Sequence, residues 1–216
     1  LIHTDIGKLF IYNGQYEDAI NYFEPEENEN LNDRTIAYIN SLLYGLEIDS
    51  AITYLDEIIL DVDTNHKYFN DLFEIHDLIT NYYLDGTKDD KIAFKLFFQS
   101  ESLINEYKIK EAIEILEGIR FNHSDAMIYP LATLRLAVLS IDLMQYEKSI
   151  QYALAMENTN LKDKGLTLAA EIEENYLGDN ESALKYYYRV LSECSTSLLA
   201  DPVRIHVRKI SKLRES

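Results

Sequence analysis

Gly14-Gln15-Tyr16-Glu17-Asp18-Ala19-Ile20, followed by Tyr22 and Phe23, combines a turn residue, an aromatic and a small residue in a spacing that returns along the chain. Ile48-Asp49-Ser50-Ala51-Ile52 leads to Leu55, and Ile109-Lys110-Glu111-Ala112-Ile113 leads to Leu116. Tyr146-Glu147-Lys148-Ser149-Ile150 and Gly178-Asp179-Asn180-Glu181-Ser182-Ala183-Leu184 continue the series. The small residues fall at 19, 51, 112, 149 and 183, with gaps of 32, 61, 37 and 34. The gap of 61 is close to two periods and implies a degenerate unit between. A recurring period of about 20–50 residues marks a chain built of stacked supersecondary units.

The spacing has a physical basis. A small residue is needed where the second helix of a unit crosses the first, because a bulky side chain would push the axes apart. The aromatic three positions earlier fills the gap between the two helices, and the Gly or polar residue before it accommodates the turn. Composition agrees. Seven Gly and three Pro in 216 residues are too few for the turns of an all-β chain, and 47% hydrophobic residues supply a continuous core. Helices are expected at about 1–13 with 16–24, 32–45 with 48–61, 89–106 with 109–120, 126–144 with 146–156, and 162–177 with 181–194. A long helix at about 67–84 lacks a partner in its own unit. The last helix starts at Pro202 with Asp201 as its N-cap, and Pro130 belongs in a first turn or a kink. An acidic loop, Glu24-Pro25-Glu26-Glu27-Asn28-Glu29-Asn30, separates the first two pairs. The chain thus divides into two helix pairs over 1–61, an irregular linking helix and turn over 62–92, three pairs over 93–198 and a basic capping helix over 199–216.

These motifs resemble the tetratricopeptide repeat (TPR) family, whose helix–turn–helix unit is about 34 residues long. The first unit matches best. Gly7 and Phe10 fill the small and aromatic slots of its first helix, and Gly14, Tyr16, Ala19 and Phe23 fill those of the turn and second helix. Ile48 and Ile109 replace the aromatic, Ser149 replaces Ala, and the family's closing Pro is missing from every unit. Ser197-Leu198-Leu199-Ala200-Asp201-Pro202-Val203-Arg204, leading into Val207-Arg208-Lys209-Ile210, is similar to the ends of TPR arrays in bacterial cell-envelope proteins. Cys194-Ser195 stands where those arrays usually have Tyr-Pro. The resemblance implies an all-α fold: an α-solenoid, wound as a right-handed superhelix of antiparallel helix pairs, closed by a C-terminal capping helix. It also implies a periplasmic or other extramembrane envelope compartment, with the cytoplasm as the alternative.

The net charge of −18 argues against free DNA or RNA and against an anionic membrane surface, since both need clustered Lys and Arg. Only residues 200–216 are basic, with five Lys or Arg against two acids. Such a charge keeps an extended surface soluble and favours a basic partner. No apolar run is long enough to span a membrane, and no signal peptide is visible. The chain starts at Leu1, without Met and inside a helical pattern, which reads as a fragment or processed form. With Cys194 alone, an intrachain disulfide is impossible.

No catalytic constellation in the sequence rises above background. The histidines at 3, 66, 76, 123 and 206 include no i, i+4 pair, so the zinc-helix motif is missing. His76-Asp77 is similar to a metal-dependent phosphohydrolase dyad but has no second ligand set. Asp85-Gly86-Thr87-Lys88-Asp89-Asp90 lacks the alternating oxygens and closing Glu of a calcium loop, and reads as a helix end and turn. No phosphate loop or nucleophile elbow occurs. The expectation is a protein that is not an enzyme and needs no cofactor or metal.

In the TPR family the first helix of each pair lines a concave groove, which points to a protein or peptide as the partner. Counting back from the small residues places Phe94, Phe97, Glu101 and Ile104 there, then Leu131, Leu134, Val138 and Ile141. The last unit, allowing one inserted residue, adds Lys164, Thr167, Glu171 and Glu174. The row is apolar in its middle and acidic at its end, which suits a peptide with hydrophobic anchors and a basic end. A homodimer is the other way to cover the apolar stretch. The expected function is a non-catalytic interaction scaffold. The alternatives are a self-associating spacer subunit of a larger assembly, and a peptide-sensing regulatory domain of a longer chain.

Overall fold

The computed structural model describes residues 2–26, 31–60 and 62–215, with side chains between residues 6 and 211 of these. Leu1, residues 27–30 of the acidic loop, Asp61 and Ser216 lie outside the described residues. Among the described residues the chain is all-helical, with twelve α-helices and no strand. The first seven are α1 (Ile2–Tyr12), α2 (Tyr16–Phe23), α3 (Asp33–Tyr44), α4 (Ile48–Ile59), α5 (Phe69–Ile79), α6 (Lys88–Asn105) and α7 (Ile109–Asn122). The remaining five are α8 (Tyr129–Asp142), α9 (Tyr146–Ala155), α10 (Lys162–Ile172), α11 (Asn180–Glu193) and α12 (Ala200–Glu215). A π turn extends α5 through Thr80–Leu84, and another extends α10 through Glu173–Leu177. The helices form two compact units, Leu1–Ile128 and Tyr129–Ser216.

One turn geometry recurs five times. Gly14, Leu46, Tyr107, Met144 and Gly178 all have positive φ, between 57° and 71°. Each ends a helix in the left-handed conformation, and the next N–H reaches back to a carbonyl in the last turn. Gln15 donates to Phe10, Glu47 to Leu42, Lys108 to Leu103, Gln145 to Ser140 and Asp179 to Glu173, all at 2.8 Å. Five residues after each left-handed position lies the small residue: Ala19, Ala51, Ala112, Ser149 and Ala183. None of the five has exposed surface. Each donates its N–H to the carbonyl four residues earlier, at 2.9–3.1 Å, and so closes the first turn of the second helix. Ser149 is satisfied in its buried position because its hydroxyl donates across the crossing to the Ala137 carbonyl at 2.7 Å. At Gly7 a Cβ would stand 2.1 Å from Phe23 Cζ, so the first crossing is too close for any side chain there.

The last of these turns explains the inserted residue. In the first four units the capping bond spans five residues, whereas Asp179 to Glu173 spans six. The π turn at Glu173–Leu177 absorbs the extra residue without breaking the helix.

A second periodicity joins three of the first helices, α3, α6 and α10, to the turn after their pairs. Lys67 Nζ lies 3.3 Å from Asp33, His123 Nδ1 lies 2.7 Å from Asp89, and the Ser197 hydroxyl donates to Asp163 at 2.5 Å. Each aspartate is in the first turn of its helix, and each pair is 34 residues apart.

Several expected boundaries shift. The helix expected at 67–84 starts at Phe69, after a turn in which His66 N–H donates to the Asp63 carbonyl, and ends in the first π turn. Pro130 lies in the first turn of α8, where its missing N–H is harmless. Asp201 is not the cap of the last helix. That helix begins at Ala200, so Asp201 lies inside its first turn and pairs with Arg204. The preceding turn is held by Ser197, whose hydroxyl accepts from Leu199 N–H at 3.0 Å.

In the first unit α1, α3 and α6 are mutual neighbours. The Tyr16 hydroxyl donates to Glu106 at 2.7 Å and lies 3.1 Å from the Ser102 carbonyl, tying the first turn to the end of α6. In the second unit α12 presents Val203, Val207 and Ile210 to a core of Leu166, Ala170, Ala183, Leu184, Tyr187 and Val190. Burying each of those three side chains stabilises the docked helix by about 1.5–3 kcal/mol before the entropy of ordering is subtracted. Arg204, Arg208 and Lys209 stay on its exposed side.

Candidate partner-binding surface

The expected groove residues divide between the two units. In the first, Phe97, Glu101 and Ile104 follow one another on one face of α6, each half-buried. Phe94 shares their spacing but not their exposure. It is fully buried, with its ring 5.5 Å from Tyr83 and 4.9 Å from Phe98. Tyr83 comes from the first π turn, which closes over this end of α6. Phe94 is therefore a core residue and is corrected as a surface candidate. Phe97 meets Phe98 edge-on at 5.7 Å and keeps part of its ring in solvent.

In the second unit Leu131, Leu134, Val138 and Ile141 form a half-buried stripe along α8. Ile141 packs against the cluster of Ile150, Ala153, Ala169 and Ile172, so the end of the stripe supports the α9–α10 contact. Glu171 and Glu174 lie further along, on α10 and its π turn.

Glu171 lines a cavity of about 310 Å³ within the second unit, and Glu174 bonds to two of the other lining residues, Tyr187 and His206. Thr167, Glu171 and Asn175 supply polar groups from α10 and its π turn. Leu199, Pro202 and Val203 supply an apolar wall at the start of α12, and Tyr187 and His206 complete the lining. Glu174 Oε2 accepts from the Tyr187 hydroxyl at 3.0 Å and lies 2.8 Å from His206 Nε2. The His206 ring stands edge-on to Tyr187 at 5.3 Å. Burial and the bond to Glu174 push the Tyr187 hydroxyl well above its usual range, so it remains a donor. Glu171 is exposed overall, and partial desolvation at the cavity pushes its carboxyl above the usual carboxylate range; nearby His206 works against that shift and Glu174 adds to it. Among the described residues no hydrogen bond or ion pair reaches the Glu171 carboxylate, in contrast to Glu174.

His206, Tyr187 and Asn175 were not singled out by sequence reasoning for this place. His206 sits three residues after Val203 on the stripe that docks α12. That spacing, together with an acidic face on α10, is the signal that would have found it. In the Tyr186-Tyr187-Tyr188 run, Tyr187 faces the core while Tyr188 is exposed.

The other polar candidates have local partners. His76 Nε2 lies 2.9 Å from Asp56, and Asp77 accepts from Asn81 at 2.8 Å. Asp90, from the turn that looked like a calcium loop, is buried. It accepts from Thr87 N–H and hydroxyl and, at 2.8 Å, from Met127 N–H. Burial pushes the Cys194 thiol up, away from the thiolate that nucleophilic chemistry uses. Among the described residues no group of three or more His, Cys, Asp or Glu could hold a metal ion, and no helix is long and apolar enough to cross a membrane.

No protein-family model matches the chain, and no curated protein matches it.

Proposed function

We propose that this chain is a non-catalytic interaction scaffold of TPR-like helix pairs, stacked as an α-solenoid, that binds a protein or peptide through the faces of its first helices. The observation that carries this reading is a single register repeated five times. Each left-handed turn residue is followed five positions later by a small residue without exposed surface. The aspartate contacts at a separation of 34 residues support the same unit length. In stacked helix pairs the side chains on the first helices that the stack does not bury are the ones offered to a partner. Phe97 and Ile104 on α6, and Leu131, Leu134 and Val138 on α8, are of that kind.

The test is selection of peptides from a display library on the purified chain, followed by titration of the selected peptides against variants. Phe97→Ala and Leu134→Ala, made separately because they lie in different units, should between them weaken every selected peptide by about tenfold or more, as loss of an apolar anchor does. Undiminished binding by both variants overturns the groove assignment.

One observation favours the second reading, a self-associating subunit. α1 exposes Ile6, Leu9 and Tyr12, and Tyr107 stands 6.2 Å from Tyr12, which makes an apolar face at the start of the chain. Light scattering decides this. A monomer at high concentration removes that reading, and a dimer dispersed by Leu9→Glu supports it.

A further inference from the structure

The cavity beside α12 has a feature that helix packing does not require. Two carboxylates face one histidine, and only one of them is engaged. Glu174 is fixed by Tyr187 and His206, while Glu171 has no hydrogen-bonding partner among the described residues. Leu199, Pro202 and Val203 supply the apolar part of the same lining.

We propose that this cavity receives one lysine or arginine side chain of a bound peptide, with Glu171 as the carboxylate that takes the cation. The proposal rests on the peptide-binding reading above and names the partner chemistry at one of its positions. A cation is the occupant that gains most here, because Glu171 beside Glu174 repels an anionic group and offers a neutral one no charge to pair. The occupant also carries an apolar stem, because Leu199, Pro202 and Val203 give methylenes a surface and give a hydrated ion none. A metal ion is disfavoured by the ligand set, since no three potential ligands converge among the described residues. At about 310 Å³ the space suits a single long side chain, and it lies at the small end of cavities that take whole cofactors. The Asn175 amide oxygen, also in the lining, can accept a further hydrogen bond from an ammonium or guanidinium. The charge of the whole chain, −18, raises the local concentration of basic segments before any of these contacts form.

The experiment uses the full chain labelled with ¹⁵N and four probes: the Nα-acetyl amides of lysine, arginine, norleucine and glutamate. Norleucine keeps the stem without the charge. Single side chains bind weakly, so the titration runs to about 50 mM probe. The lysine and arginine probes should give saturable shifts at the amides of residues 171, 175 and 206, and norleucine and glutamate should not. Glu171→Gln keeps the shape and should weaken both cations about fivefold, the effect expected of one partly solvated ion pair. Glu181→Gln, at the start of α11 and outside the cavity lining, serves as the charge control and should leave them unchanged. Absence of saturation, equal binding of norleucine, or unchanged affinity in Glu171→Gln overturns the proposal. Those outcomes are separable from failure of the groove reading. Peptides that select normally but ignore Glu171→Gln sink the cavity alone. Cation probes that saturate while no peptide is selected sink the groove alone.

Discussion

Gly118 and Gly178 offer the same open space to a methyl group and should respond to it with opposite sign. No atom lies within 4 Å of the Cβ position at either residue. Gly118 is inside α7 with ordinary helical geometry, so Gly118→Ala removes only unfolded-state freedom and should stabilise by about 0.5–1 kcal/mol. Gly178 has φ 71°, where an L side chain meets its own carbonyl, so Gly178→Ala should destabilise by about 1–2 kcal/mol. Urea unfolding of both variants measures the difference; equal shifts would show that φ does not govern the turn. The reasoning extends to positions already carrying the strain. Tyr107 and Met144 sit at φ 60° and 57° and are 79% and 76% exposed, so glycine there sacrifices little packing. Each replacement should leave stability unchanged or raise it by up to about 1 kcal/mol. Neither residue type advertises a left-handed conformation, so only the two turns with Gly14 and Gly178 were legible at this scale.

At the scale of elements, the start of α6 is held by a capping box and by a link to the turn after α7. Burial alone would push the Asp90 carboxyl up, but the Met127 N–H and the Thr87 hydroxyl and N–H more than offset it and hold the group below the usual carboxylate range. A depressed carboxyl contributes stability above its unfolded pKa, near 3.8, and loses it as pH falls through the lower folded value. Asp90→Ala removes the cap and the link to the turn after α7 together, and should cost about 2–4 kcal/mol at neutral pH. The gap between variant and parent should narrow as pH falls below the unfolded pKa near 3.8 and on through the lower folded value. A gap that stays constant to pH 2.5 would show that Asp90 acts through packing instead. The helix pairs themselves were legible because Ala19, Ala51, Ala112, Ser149 and Ala183 repeat one residue class at one spacing. The 34-residue aspartate contacts were not, because Lys67, His123 and Ser197 share no chemistry and declare their equivalence only in space. Phe94 was misplaced for a related reason. Counting along α6 gave its face, but burial depended on Tyr83, delivered by a π turn that no sequence pattern announced. The Glu171 end of the site was half legible. The acidic row was visible, while the closing wall came from α12, whose apolar stripe had been assigned to capping alone.

Charge belongs to the whole molecule, and it is distributed unevenly. Residues 1–128 hold 26 acidic and nine basic side chains, whereas residues 129–216 hold twelve and eleven. The first unit therefore folds against its own repulsion and the second scarcely does. Added salt should act on them differently, because screening shortens from about 30 Å at 0.01 M to less than 10 Å above 0.1 M. Hydrogen exchange read segment by segment at low salt and at about 0.5 M NaCl resolves the two. Protection in α3, α6 and α7 should rise about fivefold or more with salt as repulsion is screened. Protection in α10 and α11 should hold steady or fall slightly. There Arg189 bridges Glu157 and Glu193, and Lys162 reaches Glu193 at 2.9 Å, so screening weakens attraction and not repulsion. A uniform response across both units would mean that the charge is neutralised locally. A loss of protection in α6 would mean that ion pairs at its end, such as Lys108 with Glu106 at 2.6 Å, outweigh the net repulsion. Either result would also weaken the case for electrostatic capture of a basic partner, since the field that destabilises the first unit is the field that would draw such a partner in.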